Sequence, residues 1–127
     1  MTGHDATQPF FRIEDEEIDA TTQVVGVEGD VDLYSAPEVK SHVLAAIDAG
    51  KTLLVVDLSK ASFIDSTTLG VLVGARKRLR EREGAIAVVC PDKDKLGLFE
   101  MTGLDRVFSI HPDRDGALAA VRSGAID

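Results

Sequence analysis

Two short apolar runs separated by one long helical pattern constrain this chain more than anything else in it. The runs are Leu53-Leu54-Val55-Val56, ending at Asp57, and Ala85-Ile86-Ala87-Val88-Val89, ending at Cys90. Each is aliphatic or β-branched and has the length of a buried strand. Between them the residues from about Thr67 to Glu83 carry a helical pattern that stops at Gly84. Strand, helix and strand in that order form a crossover unit, right-handed where the two strands run parallel.

The same alternation extends in both directions. Phe10 to Ile13 is a short apolar run that leads into the acidic cluster Glu14, Asp15, Glu16, Glu17 and Asp19, read as a first strand and a solvated turn. Thr22 to Glu28 reads as a second strand, with Gly29 turning or bulging it before Asp30-Val31-Asp32-Leu33. Ser35-Ala36-Pro37-Glu38 has the serine-to-glutamate spacing of a capping box and a proline in the first turn. The helix it opens shows Val39, Val43, Leu44 and Ile47 on one face, and Gly50 follows its end. A third strand spans Thr52 to Asp57, and Ala85 to Cys90 is a fourth. Asp92 caps a third helix that runs through Met101, with Leu96 and Phe99 inward and Gly103 ending it. Arg106 to Ile110 is a short fifth strand, and a last helix from about Pro112 to Ser123 turns Ala117, Leu118 and Val121 inward. The expected product is one α/β domain, a mixed sheet of about five strands with four main helices, its opening strand pair antiparallel. Residues 1–9 are polar and are expected to form a flexible N-terminus ahead of a domain at 10–127.

Charge and composition remove several function classes. A net charge of −8 argues against general binding of nucleic acid or anionic membrane and suits a partner with a basic face. The single cysteine, Cys90, excludes an internal disulfide and reads as a small core residue. No apolar run approaches the about 18 to 20 residues of a membrane span, and the N-terminus has no secretory pattern, so a cytoplasmic protein is expected. Enzyme templates fail in turn. The chain has no G-x-S-x-G elbow, no phosphate-cradling glycine loop, and no pairing of His4, His42 or His111 with metal-ligand spacing. Neither catalysis nor a cofactor or metal is expected.

Chemistry concentrates instead at the junction Phe63-Ile64-Asp65-Ser66-Thr67-Thr68-Leu69-Gly70. A helix N-terminus leaves backbone N–H groups unpaired, and either Asp65 or Ser66 can cap it. One capping residue suffices, so the crowd of Asp65, Ser66, Thr67 and Thr68 calls for a second role. A phosphoryl group on Ser66 would face a helix end that favours anions. Beyond it, Leu69, Val71, Leu72 and Val73 make the helix apolar nearly all round, while Arg76, Lys77, Arg78, Arg80 and Arg82 make its second half basic. Gly70 and Gly74 share a face, and two helical glycines cost about 1 kcal/mol each against alanine. Close packing on the sheet and a docking surface both account for them.

These residues resemble a known signature. Phe63-Ile64-Asp65-Ser66-Thr67 with Leu69-Gly70 is similar to the motif of bacterial anti-sigma factor antagonists, small STAS-domain proteins. Gly29-Asp30-Val31-Asp32 with Ser35-Ala36-Pro37, Val56-Asp57-Leu58-Ser59 and Met101-Thr102-Gly103-Leu104 resemble further segments of that family, so the likeness covers nearly the whole chain. It implies a single STAS-like domain and a partner-switching role. The unmodified protein would bind an anti-sigma factor serine kinase and so free a sigma factor. The kinase would release it by phosphorylating Ser66, with Thr67 the second choice, and a PP2C-type phosphatase would reverse the mark. By the same resemblance, Asp32 and Asp65 lie beside the modified hydroxyl, and Thr68, Leu69 and Gly70 join them in partner contact. Many members have glycine where this chain has Thr68, which is expected to narrow the groove around Ser66. The alternative is a STAS scaffold subunit of a stress-sensing or lipid-transport complex, without phosphorylation.

Overall fold

The computed structural model describes residues 10–124. The strands are β1 (Phe11–Glu17), β2 (Thr22–Val31), β3 (Leu53–Ile64), β4 (Ala85–Val89) and β5 (Ser109–His111). The helices are α1 (Ala36–Asp48), α2 (Ser66–Arg80), α3 (Lys93–Met101) and α4 (Arg114–Ser123). One sheet holds all five strands in chain order, β1 antiparallel to β2 and every later pair parallel. The mixed five-stranded sheet with four helices is the expected architecture. The expectation for residues 1–9 lies outside the described residues.

The period-two alternation of β2 and β3 sorts side chains to two cores. Val25, Val27, Leu54 and Val56 face α1, α2 and α3, where they meet Val43, Ile47, Leu72 and Phe99. Val24, Val55, Ala87 and Val89 face α4 and pack on Ala117 and Val121. A central strand with helices on both sides must be apolar on both faces, which is why Leu54, Val55 and Val56 are all fully buried.

One charged residue interrupts that strand. Asp57 is 5% exposed, and its carboxylate accepts from Arg114 Nε at 2.6 Å. The same guanidinium donates to Glu16 on β1 at 2.7 Å, so the first turn of α4 is held to two strands at once. Burial pushes the Asp57 carboxyl up, but Arg114 and the Ser59 hydroxyl and amide outweigh it and hold it below the usual range.

Several boundaries differ from the sequence reading. β3 does not stop at Asp57 but runs on to Ile64, beyond the last β3–β4 pair, Asp57↔Val89. This overhang pairs only with β2, which likewise continues past Glu28 to Val31. Gly29 does bulge the strand, at one of two register shifts, without ending it. Its φ of +94° and the 1.9 Å from a hypothetical Cβ to the Phe10 carbonyl oxygen require glycine there. α2 ends at Arg80, and α4 begins at Arg114, where the Asp113 carboxylate accepts from the Gly116 amide. The expected fifth strand is shorter and later, because Leu104–Arg106 forms a 3-10 turn.

Candidate functional site

The site is built where β2 and β3 end together. Val31 pairs with Ile64, so the residues that follow them, Asp32 and Asp65, leave neighbouring strands at one edge. Strands in a sheet lie about 4.8 Å apart, which brings the two acidic turns side by side.

Asp65 is the cap of α2. Its backbone is extended (φ −133°, ψ −172°), and its carboxylate accepts from the amides of Thr67 at 3.0 Å and Thr68 at 3.4 Å. The Thr67 hydroxyl donates to the same oxygen. Of the two possible caps, the structure uses the aspartate, and Ser66 becomes the first residue of the helix. Its side chain is exposed, and its hydroxyl forms no hydrogen bond within the described residues.

The β2–α1 loop is organised by a second aspartate. The Asp32 carboxylate accepts from the amides of Ser35 at 3.1 Å and Tyr34 at 2.9 Å. The Ser35 amide, with help from Tyr34 and the Ser35 hydroxyl, holds the Asp32 carboxyl below its ordinary value, so it is ionised at neutral pH. The expected capping box is therefore not formed. Ser35 sits at the N-cap, but its hydroxyl donates to the Asp30 carbonyl at 2.8 Å and accepts from the Asp32 amide.

The folded site thus offers an exposed hydroxyl next to the Asp65 cap, at the end of the sheet where the Asp32 turn also lies. Large apolar side chains stand open at the same end of the sheet. Leu33 and Tyr34 are 63% and 89% exposed on the β2–α1 loop, and Phe63 is 49% exposed at the tip of the β3 overhang. Phe63 also shares a shallow depression with Leu98 and Met101 of α3. Among the described residues no group of three or more His, Cys, Asp or Glu could hold a metal ion, and no helix is long and apolar enough to cross a membrane.

The STAS domain family model matches residues 12–117. The chain belongs to the STAS domain family. An anti-sigma-B factor antagonist of Listeria monocytogenes is 37% identical over 98 residues, covering 77% of this chain and 86% of the relative. An anti-sigma-B factor antagonist of Bacillus subtilis is 30% identical over 94 residues, covering 74% of this chain and 85% of the relative. The solved structure of an anti-sigma factor antagonist from Mycobacterium paratuberculosis is similar at 30% identity, with a TM-score of 0.75 over 89% of this chain and 95% of that one.

Within this STAS chain the expected site residues divide into two groups. Asp32, Asp65, Ser66, Thr67 and Gly70 reach the surface. Thr68 and Leu69 do not, and their expected part in partner contact is corrected. Thr68 is 1% exposed, with its hydroxyl donating to the Val31 carbonyl at 3.0 Å, so it pins the helix to β2 and does not narrow the surface around Ser66. Leu69 is 3% exposed in the core beneath α2. Both lie on the inward stripe of α2 with Leu72, Ala75 and Leu79, whereas Ser66 and Gly70 lie on the outward one. The residues the sequence reading passed over are Leu33 and Tyr34. Two consecutive large apolar residues in a loop, outside any periodic pattern, were the available signal.

Proposed function

We propose that this STAS protein is a partner-switching regulator rather than an enzyme. Unmodified, it binds an anti-sigma factor that is also a serine kinase, and a sigma factor is freed. Phosphorylation of Ser66 ends that binding, and a PP2C-type phosphatase restores it. The observation that carries this reading is the uncommitted Ser66 hydroxyl, left free because Asp65 performs the capping. The exposed Leu33, Tyr34 and Phe63 supply the apolar contact that a docking kinase requires. The anti-sigma-B factor antagonists of Listeria and Bacillus support the choice of partner. The −8 charge and the lack of a candidate span among the described residues accord with action in the cytoplasm, away from nucleic acid and membrane.

The switch follows from electrostatics at a fixed surface. A phosphoseryl group adds about −1.5 to −2 charges. The α2 N-terminus cannot fully compensate it, since the Asp65 carboxylate already occupies the amides of Thr67 and Thr68. In the free protein, water solvates the phosphate. Against a partner it would be desolvated beside Asp65 and the ionised Asp32, and the complex weakens. Reversing occupancy from 99:1 to 1:99 needs about 5.5 kcal/mol of differential affinity.

Intact-mass measurement and site mapping after incubation with the anti-sigma kinase and ATP should find one phosphoryl group on Ser66. Calorimetry should then find Ser66→Ala binding the kinase and Ser66→Asp binding it poorly. Equal affinity of the two variants would refute the charge mechanism. Absence of any modification by a kinase active on a control substrate would favour the scaffold role.

A further inference from the structure

Beginning beside Ser66, at Thr67 and Gly70, a groove of about 690 Å3 runs between α1 and α2. Val43 and Leu44 of α1 and Val71 and Ala75 of α2 form its apolar floor. Its rim carries Lys40, Lys77 and Arg78 against one acid, Glu81. That rim is cationic on a chain whose net charge is −8. Among the described residues Lys40 and Lys77 have no ion-pair partner, and Arg78 meets only an exposed Asp48 at 3.8 Å. The α2 wall extends from Thr67 to Glu81, about 21 Å at 1.5 Å per residue.

The glycines in that wall bear on its use. A Cβ built on Gly70 or Gly74 meets nothing within 4 Å, so packing on the sheet does not require either glycine. Of the two explanations that the sequence left open, intramolecular close packing is removed. The missing Cβ atoms flatten the groove wall, where an incoming helix axis could approach to less than the usual 8–10 Å.

We infer that the α1–α2 groove docks an acidic amphipathic helix of a protein partner, on a surface that adjoins the Ser66 site at Thr67 and Gly70 but does not include Ser66. An apolar stripe of about four turns would cover the half-buried Leu44 and Val71 above the buried Val43 and Ala75, with its backbone against Gly70 and Gly74. Carboxylates flanking that stripe would meet Lys40, Lys77 and Arg78. The groove length, its open side and the two-sided cationic rim suit a helix better than a compact ligand. This inference goes beyond the proposed switch and needs neither a kinase nor a phosphate.

The test uses the full chain and a hydrocarbon-stapled peptide of about 14 residues, because an unstapled helix of that length is marginal in water. The peptide carries Leu and Ala at i, i+3, i+4 and i+7 with Glu on both flanks, and a stapled control carries the same residues in scrambled order. Amide chemical shifts should move at residues 40–44 and 67–81, and affinity should fall as salt screens the rim. Gly74→Leu, which fills the wall, and Lys77→Glu, which reverses the rim, should each weaken binding about tenfold. Retained folding of each variant is checked by its amide spectrum. The inference is overturned by shifts centred elsewhere, by equal binding of the scrambled control, or by saturable laurate binding in the groove with no response to the peptide. Because Ser66 takes no part, failure here leaves the phosphorylation switch standing, and failure of the switch leaves this surface standing.

Discussion

Replacing Thr68 by valine removes the side-chain hydrogen bond that ties α2 to β2. The two side chains have nearly the same shape, so the substitution opens no cavity. It removes the donor to the Val31 carbonyl at 3.0 Å, in a place where Thr68 is 1% and Val31 0% exposed. Water therefore cannot replace the donor, and an unsatisfied buried acceptor costs about 1–3 kcal/mol. The added methyl group returns up to about 0.8 kcal/mol of transfer free energy. The expected net loss is about 1.5 kcal/mol, or roughly 5 °C in Tm for a domain of this size. Urea titration followed by circular dichroism should show a lower midpoint at unchanged slope, since the surface exposed on unfolding is unchanged. Because the Thr68 side chain does not reach the surface, kinase affinity and the rate of Ser66 phosphorylation should stay at wild-type values. A stability change below about 0.3 kcal/mol, within ordinary surface-mutation scatter, would refute the hydrogen-bond argument. Lost kinase affinity at unchanged stability would place Thr68 on the partner surface after all.

Arg114→Ala leaves the Asp57 carboxylate buried without its cation; breaking a buried pair costs about 3–5 kcal/mol, reduced here to about 2 because Arg114 is 38% exposed. In the native protein the Asp57 pKa is depressed, so the pair's stability is present above the unfolded value of about 3.9 and is lost as pH falls through the folded one. Without Arg114, burial raises that pKa and protonation relieves the penalty, so the gap measured by urea titration should close from pH 7 towards pH 3; a pH-independent gap would refute the pairing. Gly84→Ala should destabilise by about 2 kcal/mol, since its Cβ would fall 2.3 Å from the Thr52 carbonyl oxygen and the backbone must shift. Gly74→Ala should instead stabilise by about 1 kcal/mol, because its Cβ meets nothing and helix propensity alone decides. Equal signs for these two variants in thermal melts would contradict the packing described.

Local chemistry made much of this protein legible. The runs at Leu53 and Ala85 became central parallel strands, because strands covered on both faces carry uniform apolar character. Asp92 capped α3 as its position suggested, accepting from the Asp94 amide. What escaped the sequence was decided by competition or by distant pairing. Ser35 and Glu38 have capping-box spacing, but Asp32 took the local amides first and drew the Ser35 hydroxyl towards Asp30. Ser59-Lys60-Ala61-Ser62 resembles a loop, and it is strand only because the bulged end of β2 pairs with it along one side. Thr67 and Thr68 are chemically alike in the sequence, and only the helix's rotation on the sheet turns one towards Asp65 and the other towards Val31.

That rotation also decides how the proposed switch at Ser66 could act. Were Ser66 the cap, its hydroxyl would be spent on the helix amides, and phosphorylation would have to break the helix end in order to act. With Asp65 in that role, and with Thr68 bonded to β2 independently, the first turn of α2 is held whether or not Ser66 is modified. Under the proposed switch, a phosphoryl group on Ser66 would then change the field in front of the surface rather than the surface itself. Asp32 would strengthen that field, because the Ser35 and Tyr34 amides hold its carboxyl below the ordinary value and the register of Val31 with Ile64 brings its turn beside Asp65. In the proposed switch, a frame held this way would convert a covalent mark on Ser66 into repulsion, with little folding energy diverted into conformational change.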